Sequence, residues 1–161
     1  SIACAKLLES GQVDFAITNY PNSGLSNTQN VRIIREFKDV FVANDEYKEL
    51  RGKTISLKDL KRFPILMLDR KSTTSEFLHS MFQRHQLDLV PEIELSSNDL
   101  LIDLARIGLG VAFVPDYCIP DNERSLFKVQ IEEELPTRQI VVASNDSLPI
   151  SQAAKQFMEM L

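Results

Sequence analysis

Leu104-Ala105-Arg106-Ile107-Gly108-Leu109-Gly110-Val111-Ala112-Phe113-Val114-Pro115 changes its period halfway. Upstream, from Asn98 to Ile107, apolar residues recur at helical spacing; downstream, Val111 to Val114 is a short unbroken apolar run of the length of a buried strand. Gly108 stands at the junction, where a helix ends readily because glycine enters the left-handed region without steric cost. Helix, glycine turn and buried strand together form half of an alternating α/β unit, which predicts a mainly parallel sheet with helices on its faces.

The same grammar extends in both directions. Towards the N-terminus stand a strand over Glu92–Leu95, an amphipathic helix over Thr74–His85 with Phe77, Leu78, Met81 and Phe82 on one face, a strand over Pro64–Leu68 and a short helical turn over Ser56–Leu60. Towards the C-terminus stand strands over Phe127–Ile131 and Gln139–Ala143, then a closing helix with Ala153, Ala154, Phe157, Met158 and Leu161 on one side. The chain opens on a helix over Ser1–Ser10 stopped by Gly11, followed by a strand over Val13–Ile17. Asn19–Asn30, dense in Pro, Gly, Asn and Ser, reads as a loop, and Val31–Ala43 as one long extended stretch. Extended connections near 35–43 and 127–138 predict two lobes, the first from 1–38 and 131–161, the second from 39–130.

A chain of 161 residues is long enough for one domain or two small lobes. Its net charge of -5, with no basic cluster larger than Lys61-Arg62 or Arg70-Lys71, argues against direct nucleic-acid binding, which needs a basic field. Apolar runs such as Gly108 to Pro115 are too short to cross a bilayer, so no membrane partner is expected. Cys4 and Cys118 are too few for a disulfide framework and fit reduced thiols in the cytoplasm. No cofactor, metal or catalytic residue is expected. His79 and His85 lie six apart on one predicted helix and do not share a face. Gly108-x-Gly110 lacks a third glycine and follows a helix, unlike a dinucleotide-binding turn. Cys118 has no histidine placed beside it to make a nucleophile.

Four segments resemble the effector-binding domains of LysR-type transcription regulators. They are Leu7-Leu8-Glu9-Ser10-Gly11-Gln12-Val13-Asp14-Phe15-Ala16-Ile17; Ile55-Ser56-Leu57-Lys58-Asp59-Leu60 with Phe63-Pro64-Ile65; the Leu104–Pro115 stretch; and Arg138-Gln139-Ile140 with Ile150–Phe157. Their order and spacing are kept from end to end. The resemblance implies a two-lobed fold like type 2 periplasmic binding proteins, sensing a small anionic effector between the lobes. It also implies a homo-oligomeric full-length protein that reaches DNA only through an N-terminal helix-turn-helix, which this sequence does not hold. The first strand–helix–strand of the first lobe has no counterpart either, so an incomplete first lobe is expected. A periplasmic-type solute-binding protein fragment, or an enzyme on the same fold, is the alternative.

The effector contacts follow from strand ends. Asp69-Arg70-Lys71-Ser72-Thr73-Thr74 leaves the carboxyl end of a strand, where open α/β sheets place ligands. Thr73-x-x-Glu76 reads as a capping box, a role that by itself only satisfies free N–H groups. With the resemblance, the same hydroxyls and the positive helix end are expected to hold a carboxylate. Ser96 and Ser97 open the next helix in the same way, with Ser96 and Asp99 as a second capping box, and Thr18 and Asn19 end the first-lobe strand. The expected effector-binding set is therefore Thr18, Asn19, Asp69, Arg70, Ser72, Thr73, Thr74, Ser96 and Ser97. Asp14 is expected to tie down a neighbouring backbone. Around the Asn98–Ile107 helix the apolar residues span about 220° of arc, more than one sheet face needs. Its own lobe sandwiching it is the alternative, but the resemblance implies that another copy covers it, so an exposed Leu101–Ile102–Ala105 patch is expected in a single chain.

Overall fold

The computed structural model describes residues 2–26 and 29–161. Along the chain run α1 (Ile2–Glu9), β1 (Phe15–Tyr20), β2 (Gln29–Phe37), β3 (Asp39–Ala43), a 3-10 turn (Asp45–Leu50), β4 (Thr54–Ile55), α2 (Leu57–Leu60), β5 (Ile65–Leu68) and α3 (Thr73–Arg84). Then follow β6 (Ile93–Leu95), α4 (Asn98–Arg106), β7 (Val111–Pro115), a short 3-10 turn (Asp116–Cys118), β8 (Phe127–Ile131), β9 (Arg138–Asn145) and α5 (Gln152–Glu159). The chain divides into two compact units, Ser1–Phe37 with Thr137–Leu161, and Lys38–Pro136. The stretch expected as one extended segment is two strands, broken at Lys38, where the chain passes from one unit to the other.

The first unit holds a three-stranded sheet in the order β1-β9-β2. Both pairings are antiparallel, contrary to the mainly parallel sheet expected. The returning strand β9 enters between β1 and β2, an arrangement that periodicity cannot reveal because it reports burial and not direction. Ala16, Ala143 and Val31 stand level across the sheet and pack against Leu8 of α1. α1 closes on Gly11 (φ +69°), with Gly11 N–H donating to Leu8 O at 3.1 Å and Gln12 N–H to Leu7 O at 3.0 Å, the paired bonds of a Schellman ending. Phe157 of α5 stacks on Phe15 with 5.5 Å between ring centroids. Asp14 accepts 2.6 Å from the hydroxyl of Ser151, the N-cap of α5, so it steadies a cap side chain and not, as expected, a backbone group.

The second unit holds a six-stranded sheet in the order β4-β8-β3-β7-β5-β6. β5 runs parallel to β6 and β7, and β4 parallel to β8, while β3 is antiparallel to both its neighbours. Alternation sends Phe41, Met67 and Phe113 to the α3 face and Val42, Leu66 and Ala112 to the α4 face. These strands are thus buried on both sides, which is why they read as unbroken apolar runs.

Leu101, Ile102 and Ala105 are 0–2% exposed beneath that α4 face, so the exposed patch expected on them does not exist. The extra apolar width of α4 meets Cys118, Ile119 and Leu126 of the segment that wraps back after β7. Arg106 anchors this segment through Glu123 (Nε to Oε2, 2.8 Å). The Ser125 hydroxyl, its backbone N–H and the Arg106 guanidinium hold the Glu123 carboxyl at about 2, against the opposing effect of burial. What stays exposed on α4 is a narrower strip through Leu100 and Ile107.

Three helices end in the same way. α4 closes on Gly108 (φ +80°) with Leu109 N–H donating to Leu104 O at 3.1 Å. α3 closes on Gln86 (φ 56°) with Leu87 N–H donating to Phe82 O at 2.9 Å. A side chain in the left-handed region is strained, whereas glycine there costs only chain entropy. Gln86→Gly is expected to raise the unfolding free energy by about 0.5–1 kcal/mol in urea titration. Unchanged or reduced stability would show that Gln86 carries compensating contacts.

Candidate functional site

The carboxyl ends of β5, β6 and β7 open on one edge of the second unit, and β3 starts there with Asp39 opposite Pro115. Asp69 N–H donates across this edge to Leu95 O at 2.8 Å. The Asp69 side chain accepts from Lys71 N–H at 2.9 Å, and its carbonyl from Ser72 N–H at 3.1 Å, folding the loop into a tight turn. Ser72 then caps α3, its Oγ accepting from Thr74 N–H at 3.1 Å while its carbonyl takes the first helical bond from Glu76 N–H. The helix therefore starts one residue earlier than the expected Thr73-x-x-Glu76 box, and Glu76 lies a position too far to complete it. α4 departs from expectation likewise: Ser97, not Ser96, accepts from Leu100 N–H at 3.4 Å, which removes the Ser96–Asp99 box. Adjacent hydroxyl residues are chemically equivalent as caps; the turn selects the one still extended when it closes (ψ 138° at Ser72, 124° at Ser97).

Thr73 and Thr74 are 3% and 1% exposed, and Ser72 is half-buried, so this loop turns its hydroxyls inward. Thr74 Oγ1 donates to Asp39 Oδ1 at 3.4 Å, and Asp39 is fully buried. A carboxylate beside the start of a helix is favoured by the helix dipole. Sequence reading missed Asp39, whose one signal is an acidic residue inside an otherwise apolar extended stretch. Around the same edge, burial pushes the Cys118 thiol up to about 11, Asp99, Asp39 and Asp116 push the same way, and a hydrogen bond from Asn98 acts against them. Cys118 is thus a thiol at neutral pH and supplies no thiolate. The Asn98 side-chain oxygen is buried and has no hydrogen-bond partner among the described residues.

Of the expected effector contacts, the structure brings Asp69, Arg70, Ser72, Thr73, Thr74, Ser96 and Ser97 to this edge of the second unit. Thr18 and Asn19 belong to the first unit, where β1 continues past them to Tyr20. Thr18 is buried and accepts from Asn22 Nδ2 at 2.9 Å, a turn contact. Arg70 also lines a cavity of about 750 Å³ along α3, together with Ser75 and His79, neither of which was among the expected effector contacts. Burial and Arg70 lower the His79 pKa, with Glu94 opposing. Among the described residues no group of three or more His, Cys, Asp or Glu is placed to hold a metal ion.

Helix starts and buried polar side chains gathered at the carboxyl edge of parallel strands define a small-molecule-binding α/β domain. Residues 1–161 match the LysR substrate binding domain, and the chain belongs to that family. Among curated relatives it is similar to the HTH-type transcriptional regulator BsdA of Bacillus subtilis (strain 168), with 28% identity over 160 residues, covering 96% of this chain and 54% of BsdA. It is also similar to the HTH-type transcriptional activator CmpR of Synechocystis sp., with 28% identity over 90 residues, covering 56% of this chain and 30% of CmpR. The chain thus spans about half the length of BsdA. Two solved structures share its fold, the type 2 periplasmic-binding kind of α/β domain. The Synechocystis PCC6803 CcmR regulatory domain in complex with 2-PG matches with a TM-score of 0.83 at 20% identity, over 96% of this chain and 74% of its own. The effector binding domain of QuiR in complex with shikimate matches with a TM-score of 0.82 at 18% identity, over 99% of this chain and 75% of its own.

Proposed function

We propose that this chain is the effector-sensing domain of a LysR-type transcription regulator, and that its effector is a small hydroxylated anion bound at the carboxyl edge of the second unit's sheet. The observation that carries the reading is the start of α3: a Ser72 cap with Thr73 and Thr74 buried behind it, next to the buried Asp39. Helix-terminal N–H groups suit an anionic group. Asp39 and the Asn98 side-chain oxygen are acceptors, so they suit hydroxyl donors on the same ligand. A bare anion meets Asp39 as a like charge, whereas a hydroxylated one is held at both ends. The capture of QuiR with shikimate, a hydroxylated carboxylate, supports this class of ligand.

Sensing needs no chemistry on the ligand, and the curated relatives are transcription regulators. Binding changes the free energy of one conformation relative to another, and the full-length protein passes that change to DNA through a separate domain. No helix among the described residues is long and apolar enough to cross a membrane. We place the regulator in the cytoplasm, where its DNA is, and assign the Leu100–Ile107 strip of α4 to contact between copies. Ile107 is 69% exposed, so Ile107→Glu should leave the fold intact while shifting sedimentation towards smaller species. An unchanged distribution places the contact elsewhere.

Shikimate as probe tests the ligand site. At a hundred times its dissociation constant it should raise stability by about 2.7 kcal/mol, seen as a melting shift, and should move the backbone amide resonances of Thr73, Thr74 and Ser75. Acetate should bind more weakly. Ser72→Ala should weaken shikimate about tenfold, beyond its own cap cost of about 1 kcal/mol. Binding that leaves the amides of α3's first turn unmoved would put the effector at a different site.

A further inference from the structure

The cavity of about 750 Å³ along α3 is not the site just described: Ser72, Thr73 and Thr74 do not line it. Ser75 and His79 do, four residues apart and therefore on successive turns of one helix face. Ser75 is 0% exposed, and its hydroxyl has no hydrogen-bond partner among the described residues; the Nε2 of His79 is likewise buried without one among them. A helical serine ordinarily returns its hydroxyl to the carbonyl four residues back, which satisfies it within the helix. Here it does not. Buried polar groups left unpaired cost stability, so two of them beside one cavity call for a partner that supplies both a donor and an acceptor.

The charges around the cavity narrow the class of that partner. Arg70 offers one guanidinium, while Glu76 and Asp88 offer two carboxylates, and burial together with Arg70 keeps His79 towards its neutral form. A simple anion would meet more negative than positive charge, and a simple amine would leave Arg70 unused. Leu87, Leu89 and Val90 add an apolar wall. We propose that this cavity is a second ligand site, for an amino-acid zwitterion with a polar side chain. Its carboxylate faces Arg70, its ammonium group faces Glu76 and Asp88, and its side chain exchanges hydrogen bonds with Ser75 Oγ and His79 Nε2.

The test uses the 161-residue chain, isotope-labelled, with the His79 ring resonances as reporter. L-glutamine, L-serine and the other common amino acids are titrated singly to millimolar concentration, with acetate and ethanolamine as single-charge controls. An amino acid with a polar side chain should shift the His79 ring where neither control does. Arg70→Gln, at an exposed position that leaves the fold undisturbed, should weaken that binding about tenfold. Ser75→Ala should weaken it similarly and yet raise the melting temperature of the unliganded chain, because it deletes an unpaired buried hydroxyl. A purely structural serine would give a lower melting temperature, and that result overturns the proposal. So does a His79 ring that no amino acid moves, or one that acetate moves equally well.

Discussion

Gly110→Ala is expected to cost the second unit about 3 kcal/mol or more in unfolding free energy, the upper range for overpacking in a dense core. The position needs room rather than an unusual backbone. A Cβ there would stand 2.5 Å from the carbonyl oxygen of Pro64 and 2.9 Å from both Cγ and Cδ2 of Leu66. Neither neighbour can yield cheaply. Pro64 O accepts the Val111 N–H at 2.8 Å, joining the start of β7 to the start of β5, and Leu66 is fully buried on the α4 face. Admitting a methyl group means prising the two strands apart at the point where their pairing begins. Gly108→Ala is the informative comparison: its backbone is left-handed, but the nearest atom is Cγ of the flexible Glu46 side chain, so its loss should stay near the 1–2 kcal/mol of left-handed strain. Urea titration of both variants checks the order. Equal losses would mean that the strands relax around the new methyl group.

The two glycines also mark what the sequence makes legible. Helix, turn and buried strand around Gly108 follow from local chemistry, and the structure has them with ends shifted by a residue or so. The family resemblance, carried by the same stretch, holds over the whole chain. Less was legible where the answer depends on distant partners. Nothing in Phe15–Tyr20 or Gln29–Phe37 announces that β9 enters between them, so the antiparallel sheet of the first unit went unread. The apolar breadth of α4 was read correctly as needing a second contact, but periodicity cannot say whether another copy or the chain's own Ile119 and Leu126 supplies it. Caps slipped by one position because runs of Ser and Thr offer equivalent hydroxyls. Asp39 and Ser75 escaped for a different reason. Short polar residues are ordinary on surfaces, and only the packing around them shows that these two are buried.

Phe113→Ala should remove about 3–5 kcal/mol of stability, the cost of deleting a buried aromatic ring and leaving its cavity. Phe113 is fully buried on β7, its ring centroid 4.6 Å from that of Phe41 on β3 and 6.2 Å from that of Phe77 on α3. Phe41 belongs to the strand that Asp39 begins, and Phe77 lies one turn into the helix that Ser72 caps. The ring therefore joins the two elements that bring Asp39 and Thr74 to 3.4 Å. Deleting it loosens the seat of α3 as well as emptying the core, and against a typical domain stability of about 5–15 kcal/mol the variant is marginal. Phe113→Leu separates the two effects. It keeps most of the buried volume and should leave the chain folded, yet it lacks the flat face on which Phe77 stacks. The expectation is a folded Phe113→Leu chain whose affinity for shikimate falls several-fold, measured by calorimetry, although residue 113 lies too deep to touch a ligand at the sheet edge. Undiminished affinity would show that the first turn of α3 is held by its own cap and by Asp39, independently of the aromatic cluster beneath it.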